Sequence, residues 1–170
     1  MTMGWARCVL YIAVWGILCF PLGRWFKALR LRWDRFPFAC RDWERGGAIY
    51  ERLGVRVWKD IAPDVSKMFP NIVPRKSLTG RFGTELLRDM LEETCVAELT
   101  HWLLCLTGLA ILPLWPGIGG AAFYLIYVIL GNLPFIIIQR YNRPRFERLL
   151  TAAERRERRL ANAGTDTVQQ

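Results

Sequence analysis

Of 170 residues, 52% are hydrophobic and 13% aromatic, with eight tryptophans; this excludes an average soluble domain and suits one small membrane domain. The formal charge of +9 rests mostly on arginine, 20 of the 24 basic residues, and no nucleic-acid-binding motif accompanies it. Lipid headgroups and anionic acyl carriers are therefore the expected partners, and nucleic acid is not.

In chain order, the first apolar stretch covers residues 8–23. "CFPLGRW" offers no small-x-small cleavage site and nothing like a lipobox precedes Cys19, so the stretch is expected to stay as an anchor. Beyond it Leu22, Phe26, Leu29, Trp33 and Phe36 recur at spacings of four and three, with Arg24, Lys27, Arg30 and Arg35 mostly off that stripe until Pro37. Two readings are open: a basic amphipathic helix lying on anionic lipid, or a continuation of the first helix into a cytosolic core. Asp42 to Leu53 predicts a short helix closed by Gly54, and "VRVWKDIAP" an extended piece entering a proline turn. From Thr84 a helix runs unbroken toward the membrane.

Two further spans are predicted over residues 96–115 and 117–138, joined by a turn around Pro113 to Gly119. "NAGTDTVQQ", after Ala161, has no apolar period and predicts a disordered tail over 161–170. The expected fold is thus all-α, a small integral membrane protein with about three transmembrane helices plus an interfacial amphipathic helix, in a single membrane domain over residues 1–160. Ten Lys and Arg residues lie between Arg24 and Lys59, eight arginines follow Gln139, and the 113–119 turn has none. The positive-inside rule then makes 24–93 and the C-terminus cytoplasmic and puts the N-terminus outside.

The candidate chemistry centres on "EETCVAELTHW", which holds the chain's single histidine. On a helix Thr94, Glu98, His101 and Cys105 share one face, so Glu98 can orient the imidazole and leave its other nitrogen as a base. The alternative is an interfacial histidine beside a surface glutamate. A metal site is not expected, because Glu-x-x-His sites in helical bundles use two copies and further carboxylates. The five cysteines form no CxxC pair, and none is marked as a nucleophile. "QRYNRPR", Gln139 to Arg145, follows the last span; Pro144 predicts a turn there. The cluster reads either as a phosphate or oxyanion site or as a stop-transfer anchor.

"AELTHW" and "GNLPFIIIQRYNRPRFERLL" resemble the signatures of the glycosyl-4,4'-diaponeurosporenoate acyltransferase family, small bacterial membrane enzymes of staphyloxanthin-type carotenoid synthesis. The resemblance runs from about Trp43 to Leu150 and is weaker at "VWKDIAP". It implies transfer of a fatty acyl group from acyl-CoA or an acyl carrier protein, with no other cofactor, to a sugar hydroxyl of a glycosylated lipid at the bacterial cell membrane. By position it makes His101 and Glu98 catalytic candidates. Gln139, Arg140, Tyr141, Asn142, Arg143 and Arg145, with Trp58 and Lys59 from the weaker motif, become substrate-binding candidates. In the direct-transfer mechanism expected from them, Asn142 and Arg143 polarise the thioester carbonyl. A small membrane methyltransferase and a non-catalytic scaffold are the competing classes. The oligomeric state is open.

Overall fold

The computed structural model describes residues 3–59 and 83–168, and among these residues the regular structure is helical, with no strand. Helix α1 spans Gly4–Ala28, a 3₁₀ turn Asp42–Gly47, α2 Ala48–Arg52 and α3 Val55–Trp58. Helix α4, Thr84–Thr107, passes through a 3₁₀ turn, Gly108–Ala110, into the short α5, Ile111–Leu114. Helix α6 covers Ile118–Gly131 and α7 Leu133–Val168.

Three helical runs, Gly4–Ala28, Thr84–Leu114 and Ile118–Asn162, are long and apolar enough to cross a membrane. At about 1.5 Å per residue each exceeds a 30 Å hydrocarbon core. In none of them is more than 22% of the most apolar window buried within the protein, so the remaining apolar surface needs lipid to cover it. The expected membrane protein with three spans is therefore what the chain builds. The hairpin between the last two spans is tight because glycine makes it so. At Gly120 a Cβ would lie 1.8 Å from the Trp115 carbonyl oxygen, so only a bare Cα fits there.

The spans are tied together mainly near one end. Helices α4 and α7 form the principal antiparallel pair. Leu87 and Leu91 of α4 pack on Leu150 of α7, with Trp33 and Phe146 against them. Helix α1 joins through Tyr11, whose hydroxyl donates to the Thr107 carbonyl at 2.6 Å, and through Lys27, paired with Glu93 at 3.0 Å.

Four local expectations change. The stripe from Leu22 to Phe36 is not one interfacial helix: α1 continues to Ala28, Arg30 takes a left-handed φ of 46°, and turns follow. Trp33 packs against the α4–α7 pair, which covers part of its apolar surface. "VRVW" is helical because Gly54, at φ 69°, starts a new turn and Val55 is driven into a cluster with Tyr50 and Tyr141; the stretch from Asp60 lies outside the described residues. Pro144 stays inside α7, where its lost hydrogen bond is outweighed by the packing and ion pairs on both sides of it. The helix also runs on past Ala161 to Val168, where the sequence predicts a disordered tail.

The 3₁₀ segment is seated against α7 by a backbone feature. Arg45, Gly46 and Gly47 take φ of 49°, 63° and 92°, which brings the chain back onto Pro144 and Tyr141. A Cβ at Gly47 would meet Pro144 Cγ at 3.2 Å and the Tyr141 carbonyl at 3.3 Å, while one at Gly46 meets nothing within 4 Å. Gly46→Ala should cost only left-handed strain, about 1 kcal/mol, or roughly 2–4 °C in detergent thermal unfolding. Gly47→Ala is expected to lower Tm at least twice as far; equal losses would mean that the close approach carries no energy.

Candidate active site

Where the pair of helices α4 and α7 meets the 37–47 segment, four charged side chains form a continuous ionic chain. Arg140 donates Nε to Glu44 Oε1 at 2.5 Å, Nη2 to Glu44 Oε2 at 3.0 Å and Nη1 to Glu98 Oε1 at 2.8 Å. Its remaining hydrogens reach the Pro37 and Ala39 carbonyls, both at 3.3 Å, so all five N–H donors are used. Arg143 is 1% exposed and donates Nη2 to Glu98 Oε2 at 2.6 Å, Nη1 to the Phe38 carbonyl at 2.6 Å and Nε to Thr94 Oγ1 at 2.9 Å. Two carboxylates face two guanidiniums, which neutralises a cluster that burial would otherwise make very costly.

Glu44 is the end of that chain supplied by the 3₁₀ segment. Burial alone would raise its carboxyl, but hydrogen bonds from Arg140, the Tyr50 hydroxyl and the Arg41 amide outweigh this and hold it down to about 2, from an ordinary 4.5. Burial and the Glu44 carboxylate in turn push the Tyr50 hydroxyl upward, so Tyr50 remains a donor.

His101 lies one helical turn beyond Glu98, about 4.5 Å further along α4. The expected Glu98–His101 pair does not form, because both carboxylate oxygens of Glu98 are taken by arginines. Instead His101 Nδ1 sits 3.0 Å from Asn132 Oδ1, and the ring stacks on Phe135 at 4.6 Å and 4°. Asn132 occupies the break between α6 and α7. Its Nδ2 donates to the Tyr127 carbonyl in the last turns of α6 at 3.0 Å. Pro134, in the first turn of α7, gives up an N–H that has no helical partner there.

That contact fixes the tautomer. A carbonyl only accepts, so Tyr127 requires the amide nitrogen on its side and leaves Oδ1 toward the imidazole. Nδ1 must then carry the proton. Nε2 is left with its lone pair and, among the described residues, with no hydrogen-bond partner.

Beside these groups a cleft of about 370 Å³ runs between the 3₁₀ segment and the α4–α7 pair. Glu98, Arg140 and Tyr50 line its polar part, Trp43 and Trp102 stand at its sides, and Leu133, Ile136 and Ile137 continue it along α7. His101 is the chain neighbour of Trp102 and does not itself line the cleft.

The other candidates separate into distinct environments. Tyr141 is buried against Tyr50 and Val55; Trp58 packs on the same cluster and donates Nε1 to the Leu53 carbonyl at 2.9 Å. Arg145 donates to the Tyr141 hydroxyl at 2.6 Å with its guanidinium 4.5 Å from the ring centre, and the Lys59 ammonium lies 5.7 Å from that centre. Gln139 and Asn142 are half-buried and show no side-chain hydrogen bond among the described residues. Asn142 is ten residues beyond Asn132, about 15 Å along the axis, and so out of reach of an atom held at His101. Arg143 is shut into the ionic chain and is not free to meet a thioester either.

Asn132, Glu44 and the carbonyls of residues 37–39 were not expected from the sequence. Asn132 had a signal: it is the one amide in an otherwise uncharged run from Trp102 to Ile138. Glu44 had none, since acids scattered in a basic segment read as surface residues.

Because the Glu44 pKa is depressed in the fold, its stabilisation is complete above the unfolded value near 4.5 and is lost as pH falls toward 2. Between pH 6 and pH 3 this amounts to about 2 kcal/mol. Thermal unfolding in detergent should therefore fall about 5 °C more steeply over that interval for the natural chain than for Glu44→Gln. Parallel curves would show that the carboxylate contributes nothing specific.

The chain is similar to curated proteins named glycosyl-4,4'-diaponeurosporenoate acyltransferase. The one from Staphylococcus haemolyticus strain JCSC1435 is 32% identical over 127 residues, covering 72% of this chain and 70% of the relative. That of Staphylococcus aureus strain N315 is 32% identical over 127 residues, 72% and 73% of the two chains. That of strain MRSA252 is 29% identical over 157 residues, 89% and 91%. No solved structure matches. The profile described as glycosyl-4,4'-diaponeurosporenoate acyltransferase matches residues 24–152, which contain the ionic chain, His101, Asn132 and the cleft. The chain belongs to the glycosyl-4,4'-diaponeurosporenoate acyltransferase family.

Proposed function

We propose that this protein is a membrane acyltransferase that esterifies a sugar hydroxyl of a glycosyl carotenoid or similar glycolipid, with His101 as general base. The observation that carries the catalytic assignment is the Tyr127–Asn132–His101 relay, which leaves Nε2 unprotonated. In the reaction His101 Nε2 removes the proton of the sugar hydroxyl as its oxygen attacks the carbonyl carbon of an acyl thioester. The C–S bond then breaks, the proton passes to the leaving sulfur, and the products are the glycolipid ester and a free thiol. No covalent acyl-enzyme intervenes. Acyl-CoA or an acyl carrier protein supplies the thioester.

Within this reading Asn132 is a positioning residue, and Glu98, Arg140 and Arg143 hold the wall beside the base. That differs from the role the sequence suggests for Glu98. Removing one member of a buried charge pair strands its partner at a cost of about 3–5 kcal/mol, so these side chains support the site by keeping it folded.

General base catalysis contributes about 10²- to 10⁴-fold, so His101→Ala should depress ester formation by at least 100-fold in membranes holding equal amounts of protein. Asn132→Leu should lose most activity, since nothing then fixes the tautomer. Asn132→Asp still accepts from Nδ1–H and adds a charge favouring the imidazolium; it is expected to stay active and to shift the acid limb of the kcat/KM profile to higher pH. Near-normal product from His101→Ala would remove the histidine from the mechanism.

The same reading places the protein in the bacterial cell membrane with its N-terminus outside, because the basic segments flank the ends of α1, α4 and α7 that lie together. Impermeant labelling should modify a cysteine introduced before Gly4 in intact cells, and one placed after Val168 only after lysis. Both termini reporting the same side would refute the three-span arrangement.

A further inference from the structure

The cleft beside Glu98 is graded. Arg140 and Glu98 sit at one end of it, and Leu133, seven residues before Arg140 and about 10 Å deeper along α7, is at the other, with Ile136 and Ile137 between. Polarity therefore falls along the direction in which the helices enter the bilayer. An amphiphile standing in a leaflet presents the same gradient.

The chemistry of the polar end selects among headgroups. All five Arg140 donors are already used within the protein, so it has none to give a phosphate. Glu98 has one hydrogen bond on each oxygen, which leaves a lone pair free on each. Arg41, at the rim, has its guanidinium over the Phe36 ring at 5.7 Å. At the Glu98 end an anionic headgroup would meet a carboxylate and an Arg140 with no donor left, with the exposed Arg41 as the cation on the cleft lining still able to pair with it, whereas hydroxyl groups would find acceptors.

The sides are aromatic and open. Trp43 and Trp102 are 55% and 51% exposed and line the same cleft from different elements. A tryptophan on a spanning helix is common at a membrane interface, but Trp43 belongs to the 3₁₀ segment and is held edge-on by Tyr50, with ring centres 6.4 Å apart. The negative faces of indoles suit the positively polarised C–H faces of a pyranose.

We infer that this cleft is the binding site for the uncharged sugar of the acceptor, held between Trp43 and Trp102 with hydroxyls on Glu98 and the lipid chain along Leu133–Ile137. The inference rests on the glycolipid reading above and names where that substrate's headgroup lies. His101 precedes Trp102 on α4, one residue from the cleft wall.

The test is photolabelling of the purified full chain in a sugar-free zwitterionic detergent, with no acyl donor present. The probe is dodecyl glucoside carrying a diazirine on the sugar, and adducts are mapped by mass spectrometry. Labels are expected at Trp43, Trp102 or their immediate neighbours. Excess dodecyl glucoside should suppress them at least tenfold, and dodecyl phosphate should not. Trp43→Leu and Trp102→Leu, both at exposed positions, should each reduce labelling severalfold without lowering Tm. Labels elsewhere, undiminished labelling in both variants, or equal suppression by dodecyl phosphate would each overturn the site. Because labelling needs no turnover, it can fail while acyl transfer by His101 stands, and succeed where His101→Ala has no effect.

Discussion

The arrangement depends on Glu98 being shared by two arginines of another helix. Glu98 and the pair Arg140 and Arg143 come from antiparallel helices, and the guanidiniums also hold three successive carbonyls, of Pro37, Phe38 and Ala39. A bidentate, planar cation can bridge a carboxylate and a loop at once, which a lysine cannot. One interaction therefore sets the register of the helix pair and fastens the connecting segment over it. Glu44, brought in by that segment, closes the charge balance.

Such a cluster is weak evidence for stability in itself, since charges buried together repay their desolvation only in part. Its value here is specificity of position. Hydrophobic packing between α4 and α7 would tolerate sliding by a turn at modest expense, because leucines and isoleucines fit many registers. The ionic chain does not tolerate it: a one-turn slip would strand two carboxylates and two guanidiniums in apolar surroundings. Register matters because His101 and Asn132 lie on the same two helices, further along. The tautomer-fixing contact at 3.0 Å exists only in the register that the arginines enforce.

Much of this was legible in the sequence, and the limits have physical causes. Apolar length and the uncharged hairpin turn revealed three spans, because lipid imposes the same requirement on every residue of a span. The face shared by Thr94, Glu98 and His101 followed from helical spacing alone. Partner choice did not follow. Spacing shows that Glu98 can reach His101, but two arginines from another helix compete for the same oxygens, and charge–charge hydrogen bonds win over a neutral imidazole. Likewise Pro144 favours a turn locally, whereas tertiary packing on both sides keeps α7 helical.

The motif that looked most like a substrate site, Gln139 to Arg145, turns its strongest cations inward. Arginine in that setting resembles the steel in a frame, with its donors consumed by the protein before any ligand arrives. A consequence for recognition follows. Where Glu98 and Arg140 line the neighbouring cleft, charge is balanced and the arginine's donors are consumed although the whole chain carries +9. The local balance at Glu98 and Arg140 is thus neutral where the chain as a whole is strongly basic. Two of the four side chains that fix helix register, Glu98 and Arg140, thus also set the polarity of the cleft.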